Sequence, residues 1–459
     1  MGGGECLPGF PHPYPTNSYW QLPPHAIANH RTTPQLDTSQ IFDYIIVGSG
    51  VSGAAVAYKL LSRDPNLSIL MLEARTAASG ASGRNGGHCR AGRWLHFKQY
   101  YDAFGEDEAL KLESLEEENV QDIADFVREH DVECDFEDVE TADVYLTEEA
   151  WAEALEMRRL RERVHQRRSN IKARMKLKVR HGAEASEYIG IPNLVGSVTY
   201  PAHTQNPYLL VCRMLELSLE KGLNLQTTTP ATGIVKSGAI WSVETERGTV
   251  RANQVILATN GYTNALHSGL AATKFLVPAR NQVAAIRPGK NIGGNPVLRR
   301  SINVDDLATG DYFMSRAPGL KGEGDVLYGG GKSLSRTGER NTTDDSVVHA
   351  DIAEYLKHAA VGVFGREKWG EEGPPVRDWT GIVAYTPDTF PLVGEAPGES
   401  GLWMSVGMNG HGMAMAFRCA EALVEMMAKG AEPEWFPKAF RLERVFTKKT
   451  VHFPGWMES

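Results

Sequence analysis

The stretch Asp43–Leu60, DYIIVGSGVSGAAVAYKL, changes character twice within eighteen residues. An apolar run, Tyr44–Val47, reads as a buried strand. A glycine turn follows, and then apolar residues at Val51, Ala55, Tyr58 and Leu61 recur at helical spacing. Between the two elements Gly48, Gly50 and Gly53 stand in GxGxxG register. In that pattern the first glycine makes a tight turn, the second lets a pyrophosphate approach the backbone, and the third packs helix against strand. The phosphate then rests at a helix N-terminus, where free amides and the dipole favour negative charge. A second apolar run, LSILMLEA, follows the helix and ends at Glu73, placed to hydrogen-bond an adenosine ribose. Strand, glycine turn, helix and strand form a βαβ unit, and the unit predicts a dinucleotide site. The alternative is a glycine-rich turn without a ligand.

Working outward, composition bounds the rest. The chain has 459 residues, of which 42% are hydrophobic and 23% charged, which suits a globular protein of more than one folding unit. Its net charge of −9 offers no basic field for nucleic acid or an anionic membrane. Five cysteines, Cys6, Cys89, Cys134, Cys212 and Cys419, lie scattered without a CxxC pair, so neither a disulfide framework nor a metal site is expected. No apolar run reaches the length of a membrane span. The opening MGGGECLPGF lacks the charged and apolar regions of a secretory signal, Cys6 stands where a myristoylation pattern needs Ser or Thr, and the final MES matches no peroxisomal tail. A cytoplasmic place is the resulting expectation.

Residues 1–40 are rich in Pro, Asn, His and Thr and read as an extended arm. Residues 106–130 have an acidic helical pattern, and 147–178 a long charged one whose arginines read as a solvated face. The segment PYLLVCRMLELSLEKG predicts a helix ended by Gly222. Strand-like pieces then run from 223 to about 330, a helix is expected near 345–360, and GLWMSVGMNG leads into a last helix. The pattern is an α/β dinucleotide-binding unit with an inserted antiparallel sheet.

Directly after Glu73 the alternation of strand and helix stops, and Ser79–Trp94 reads SGASGRNGGHCRAGRW. Glycine permits close approach of backbone to ligand, and arginine brings fixed charge with forked donors. A flexible basic loop would show the same composition. Glu73 would repel a 2′-phosphate, which disfavours NADP. A flavin nucleotide accounts for the loop, since its ring must lie across backbone between domains.

Four features together resemble the FAD-dependent D-amino-acid oxidase superfamily, which includes sarcosine, glycine and γ-glutamylputrescine oxidases: the first unit with its LEAR, the loop SGASGRNGG, the strand VILATNGYTN, and WTGIVAYTPDTFPLVG with VGMNGHGMAMA. The arm resembles fungal members of the group. The resemblance implies a glutathione-reductase-type FAD domain with an inserted α+β substrate domain. Residues 1–40 would be the arm. FAD-binding parts would fall at 41–120, 201–270 and 376–459, a mixed helical and substrate region at 121–200, and the antiparallel substrate sheet at 271–375. Gly48, Ser49, Gly50, Val51, Ser52 and Gly53 would meet the pyrophosphate, and Glu73, Ala74 and Arg75 the adenosine ribose. Gly80, Ala81, Ser82, Arg84, Asn85, Gly86, Gly87 and His88 would run beneath pyrophosphate and flavin. Ala231 would meet the adenine, and Ala258, Thr259 and Gly261 the phosphate side. Asn409, Gly410, His411, Gly412 and Met413 would cap the ring's carbonyl edge at a helix N-terminus, which suits the negative charge of a reduced flavin.

The same resemblance implies oxidation of an amine or amino acid by hydride transfer from the carbon beside nitrogen, with dioxygen as acceptor and hydrogen peroxide as product. A role in natural-product biosynthesis is compatible with the same residues. Arg90 and Arg93 would grip a substrate carboxylate with parallel bonds, or else be a structural pair. Tyr312 and Arg316 would roof the pocket, and Lys332, Arg316 or His411 would supply a cation for dioxygen. Covalent attachment at His88 or Cys89 is weighed against a packed imidazole and a buried thiol, and non-covalent FAD is expected. A flavin monooxygenase, an amine dehydrogenase with another acceptor, and a non-catalytic flavin-binding subunit stay open as alternatives.

Overall fold

In the computed structural model, which describes residues 9–168, 175–294, 296–305 and 310–447, the opening stretch forms the strand Ile41–Val47 and the helix Val51–Arg63. The strand is apolar on both faces because each face meets a separate core. Ile46, with Met71 and Ile256, packs under helices. Ile45 and Val47, with Leu70, Leu72, Val255 and Leu257, feed a second cluster on the other side. A parallel strand covered on both faces has no need of polar alternation.

Among the described residues the first sheet has 8 strands, in the order Leu392–Glu395, Leu402–Val406, Gly248–Leu257, Ile41–Val47, Ile69–Leu72, Asn224–Gln226. Its centre is parallel, with Ile41–Val47 flanked by Ile69–Leu72 and Gly248–Leu257. An antiparallel hairpin, Ala231–Ser237 and Ile240–Thr245, branches off it. Helices Val51–Arg63, Pro207–Glu220 and Gly412–Lys429 supply buried residues to one core, together with Glu106–Glu129.

The second sheet has 9 strands among the described residues and is antiparallel throughout except where Glu137–Tyr145 runs parallel to Ser301–Asp305. The chain enters this sheet several times. The two-residue strand His88–Cys89 pairs with Gly196–Thr204, and Pro375–Tyr385 pairs along Val277–Ile286. The strand Pro375–Tyr385 spans the expected partition at 376, and residues 121–200, expected as a mixed helical and substrate region, contribute three strands to the second sheet. The charged segment 147–178, expected as one helix, is a helix over Glu148–Arg167, capped by the Thr147 hydroxyl, and reaches a strand at Lys178. Its residues 169–174 lie outside the described residues.

No helix or strand forms in the arm over residues 9–40, as its prolines dictate. It is nevertheless well packed. Trp20 is buried and its indole N–H donates to the Asn85 carbonyl at 2.7 Å, while the Ser18 hydroxyl donates to the Gly83 carbonyl at 2.7 Å. The part of the arm holding Cys6 is outside the described residues, and the other four cysteines are free and buried. No described helix is long and apolar enough to cross a membrane.

Candidate active site

A cavity of about 880 Å³ runs from the C-terminal edge of the first sheet to the second sheet, within the size range of small-ligand sites. At one end it is lined by Gly48, Gly50, Val51, Ser52, Glu73, Ala74 and Arg75, and by Ala231, Ala258 and Thr259. The glycines sit there for steric reasons. A Cβ on Gly48 would lie 2.7 Å from the Ala258 carbonyl oxygen, and one on Gly53 would lie 2.0 Å from the Gly48 carbonyl oxygen. Glu73 is held in place: one carboxylate oxygen accepts from the Ser49 amide at 3.0 Å and hydroxyl at 2.6 Å, the other from the Arg75 amide at 2.9 Å.

Two helices begin at this cavity, Val51–Arg63 and Gly412–Lys429, and neither N-cap, Gly50 or His411, supplies a capping side chain. The Val51 amide donates to the Ser82 hydroxyl at 2.8 Å, and the other first-turn amides of the two helices stand at the positive end of the dipole. Between them runs Gly80–Gly86. A Cβ on Gly80 would meet no protein atom within 4 Å, so it would project into the cavity. Glycine there leaves room for a ligand instead of relieving a protein contact. Together, two helix starts at the cavity, an open position at Gly80 and an anchored carboxylate at the second strand's end fit a flavin dinucleotide.

The arginines of the loop do not face outward. Arg84 is buried, with Nε donating to the Ser79 carbonyl at 2.8 Å and Nη1 to the Thr380 carbonyl at 2.8 Å. Burial lowers its pKa to about 10. Arg75 donates from Nη1 to both oxygens of Asp345 at 2.9 Å. Asn85 folds back on its own loop, donating to the Ser82 carbonyl at 2.9 Å and accepting from the Gly87 amide at 2.9 Å.

At the other end the cavity is lined by His88, Arg90, Arg93, Tyr312, Lys332 and His411. The His88 ring stands edge-on to Tyr312 at 5.2 Å, and its Nδ1 meets the Ser301 hydroxyl at 2.5 Å. Burial, and then the Arg90 charge, drive the His88 pKa down to about 3, so the imidazole is neutral at working pH. Cys89 lies beside it but points inward, its thiol donating to the Met413 carbonyl and held up at about 12 by burial. Such a thiol is inert. Arg90 bonds the Thr141 hydroxyl at 3.2 Å and Asp143 at 2.5 Å. Arg93 is 6% exposed and reaches the Tyr100 hydroxyl at 3.0 Å, the Thr389 carbonyl at 3.4 Å and Glu116 at 3.3 Å. Lys332 sits 4.0 Å from the centre of the Tyr385 ring. His411 lies 3.7 Å from Glu116, and burial lowers its pKa in spite of that carboxylate.

Five of the expected site residues do not line the cavity. Ser49, Gly53, Gly87 and Gly261 lie one layer behind it, where Gly53 packs on Gly48 and Gly261 on Ile382. Arg316 corrects the expectation more strongly. It was expected above the pocket, yet it is buried away from it, with Nη2 donating to Asp135 at 2.7 Å and the guanidinium over Trp20 at 5.2 Å. Alternation alone would put Arg316 on the face of Tyr312 and Met314, but the strand ends at Ser315, so that face is not carried on to residue 316.

Sequence reasoning missed Phe10 and Pro11, by which the arm reaches the cavity, and Glu116, Tyr145, Asn303 and Asp305. The last three carried a readable signal. Thr141-Ala-Asp-Val-Tyr145 and Ser301-Ile-Asn-Val-Asp305 alternate strictly, and their apolar members Ala142, Val144, Ile302 and Val304 all join one core. Their polar members must then face the other way. Glu116 had no such signal, because a buried carboxylate in an acidic helix looks like its solvated neighbours.

Comparison with known proteins gives a consistent picture. Residues 43–426 match the family described as DAO, FAD dependent oxidoreductase. The chain is similar to a probable oxidoreductase, OrdL, of Haemophilus influenzae, with 23% identity over 389 residues covering 83% of this chain and 82% of that one. It is also similar to the glycine oxidase of Pseudomonas aeruginosa, with 27% identity over 238 residues, half of this chain and 57% of the other. Its fold matches the crystal structure of glycine oxidase from Geobacillus kaustophilus with a TM-score of 0.68 and 20% identity, over 88% of this chain and 99% of that chain.

Proposed function

The chain belongs to the DAO family of FAD-dependent oxidoreductases, and from that premise we propose that it oxidises the C–N bond of an amine or amino acid. The observation that carries this reading is the single cavity joining a dinucleotide end to a polar second sheet. Bound there, FAD supplies a two-electron acceptor for the hydride on the carbon beside the nitrogen. Gly48, Gly50, Ser52, Glu73 and Gly80 would hold it on the nucleotide side, and Asn409, Gly410, His411, Gly412 and Met413 on the ring side. The start of Gly412–Lys429 offers amides to negative charge at the ring side. His88 and Tyr312 wall the second sheet's end and exclude water there, and the neutral His88 brings no competing charge. The substrate amine must be neutral so that its lone pair assists, and the imine formed hydrolyses to a carbonyl compound.

Dioxygen as acceptor, hydrogen peroxide as product, a cytoplasmic place and a biosynthetic role are part of the same proposal. The test is the visible spectrum of the purified protein, followed by anaerobic addition of amines, N-methyl amino acids and D-amino acids. Flavin absorbance that bleaches with one of these and peroxide on readmission of air support the reading. Reduction only by NADPH would sink it in favour of a monooxygenase.

Lys332 is the cation proposed to favour dioxygen. Lys332→Met is expected to slow reoxidation by air about 10²-fold, the usual size of one preorganised electrostatic group, while anaerobic bleaching keeps its rate. Stopped-flow absorbance separates the two, and an unchanged reoxidation rate removes Lys332 from the role. Arg93 is assigned to structure by its internal partners. Arg93→Lys should lower the melting temperature and leave the Michaelis constant within about twofold, since a lost internal bond to a charged group costs about 1.5–3 kcal/mol of stability. A large rise in that constant for carboxylate substrates alone would return Arg93 to the substrate.

A further inference from the structure

The arm crosses the dinucleotide end of the cavity. Phe10 and Pro11 line the cavity, and the residues beside them meet two separate segments of the chain. A Cβ on Gly9 would lie 3.3 Å from the Ala265 Cβ, in the helical turn Asn260–Ala265 that follows the strand Gly248–Leu257. The His12 carbonyl accepts from Arg75 Nη1 at 3.2 Å, just past the strand Ile69–Leu72. Those two strands flank Ile41–Val47, the strand that leads into the glycine turn. Gly9–His12 therefore bridges the two sides of the nucleotide end.

This bridge and the part of the arm that follows it are held differently. The Thr16 amide donates to the Asp345 carbonyl at 2.7 Å. The Ser18 hydroxyl and the Trp20 indole each donate to a carbonyl of the glycine–arginine loop at 2.7 Å, and Gln21 Nε2 donates to the Ser79 and Gly83 carbonyls at 3.2 and 3.1 Å. Ser18 and Trp20 are buried. Gly9–His12 is only half-buried, and the nitrogen that holds the His12 carbonyl also serves both oxygens of Asp345 at 2.9 Å. Between bridge and base Pro13 and Tyr14 are exposed, Tyr14 at 67%. A segment with few buried contacts opens locally at a small free energy, while a buried and bonded one opens only with the fold.

We propose that Gly9–His12 is a strap over the adenosine half of FAD, with Phe10 and Pro11 as its outer wall, and that FAD enters and leaves when this strap lifts while Thr16–Gln21 stay in place. The phenyl and pyrrolidine rings offer a purine apolar surface on the side away from Glu73 and the glycine turn. A ligand under such a cover binds and leaves no faster than the cover opens. The proposal concerns the flavin site alone and is independent of which C–N bond the enzyme oxidises.

Hydrogen exchange is read by mass spectrometry over the arm in the full chain depleted of FAD, alone and with FAD, ADP or FMN. FAD and ADP should slow exchange at the Phe10 and His12 amides at least about tenfold, and FMN, which lacks the adenosine half, should not. The amides of Ser18–Gln21 should exchange slowly throughout. FAD binding to the depleted protein is then followed by flavin fluorescence. The observed rate should level off as FAD is raised, because opening comes first. In Phe10→Ala the plateau and the release rate should each rise about tenfold, while the melting temperature without FAD stays that of the wild type. Equal exchange at Phe10 and His12 with and without ADP overturns the proposal. So does an observed rate that climbs linearly with FAD in the wild type, or a release rate that Phe10→Ala leaves unchanged. Exchange at Ser18–Gln21 that rises and falls with the tip would mean that the whole arm lifts, which overturns the fixed base. The exchange arm needs no variant, and no arm uses a substrate, so failure of every amine to bleach the flavin would sink C–N oxidation and leave the strap standing.

Discussion

The Gly53→Ala protein is expected to purify without flavin colour. A Cβ at this position would lie 2.0 Å from the Gly48 carbonyl oxygen, 3.1 Å from its carbon and 3.4 Å from the Ala258 Cβ. No real Cβ stands so close to a backbone oxygen, so either the helix start or the glycine turn must move. Both are part of the dinucleotide end of the cavity. The turn cannot yield cheaply, since Gly48 has φ of +103° and its amide donates to the Leu72 carbonyl at 2.8 Å. Overpacking of this kind costs about 1–3 kcal/mol of stability. The larger effect falls on the cofactor, because each ~1.4 kcal/mol lost from phosphate contacts is a tenfold loss of affinity. Gly80→Ala is the informative contrast. Its Cβ would meet no protein atom within 4 Å. The protein without FAD should therefore melt as wild type while FAD binds more weakly. The ratio of absorbance at the flavin band to that at the protein band, with melting curves taken with and without added FAD, distinguishes the two variants. A normal flavin content in Gly53→Ala would contradict the close packing on which the site depends.

How much of this could be read from the chain varies with the physics. The Asp43–Gly53 stretch was legible because backbone geometry, dihedral need and apolar pattern all act on adjacent residues. The last helix start at His411–Met413 was legible for the same reason. The loop Ser79–Trp94 was legible in kind but not in partners. Its glycines are local, whereas Arg84 is fixed by Thr380 and Arg93 by Glu116 and Thr389, all far away in sequence. An arginine's charge says that a carboxylate or carbonyl will be near, but not whether it is the protein's or the substrate's. Arg316 failed on this point, as its partner Asp135 lies in a different part of the chain. The arm was legible as irregular, but its packing was not. Trp20 and Ser18 bond carbonyls of the loop, and a carbonyl leaves no mark in a sequence.

Removing the charge of Asp345 should be among the most damaging single changes outside the glycine turn. Its side chain is fully buried, and both oxygens accept from Arg75 while Arg84 stands 3.8 Å away. The same residue's carbonyl accepts from the Thr16 amide at 2.7 Å and the Thr380 hydroxyl at 3.1 Å. Asp345 thus joins three segments behind the nucleotide end: the arm, the glycine–arginine loop and the strand Pro375–Tyr385. Asp345→Asn keeps the volume and the backbone bonds but leaves two buried guanidiniums without their shared counter-charge. Breaking a buried ion pair by removing one partner costs about 3–5 kcal/mol, mostly the penalty of the charge left behind. Arg84 bears much of it, since burial already lowers its pKa to about 10 and Asp345 is the main opposing influence. Denaturant unfolding should show that loss, with the slope unchanged if the fold is kept. FAD should restore part of the stability by binding only the folded protein. Asp102→Asn, which breaks the exposed pair with Lys98, should leave unfolding where it is. Equal, small effects from the two substitutions would mean that the arginines behind the nucleotide end find other partners, and that the arm is not held to the loop through Asp345.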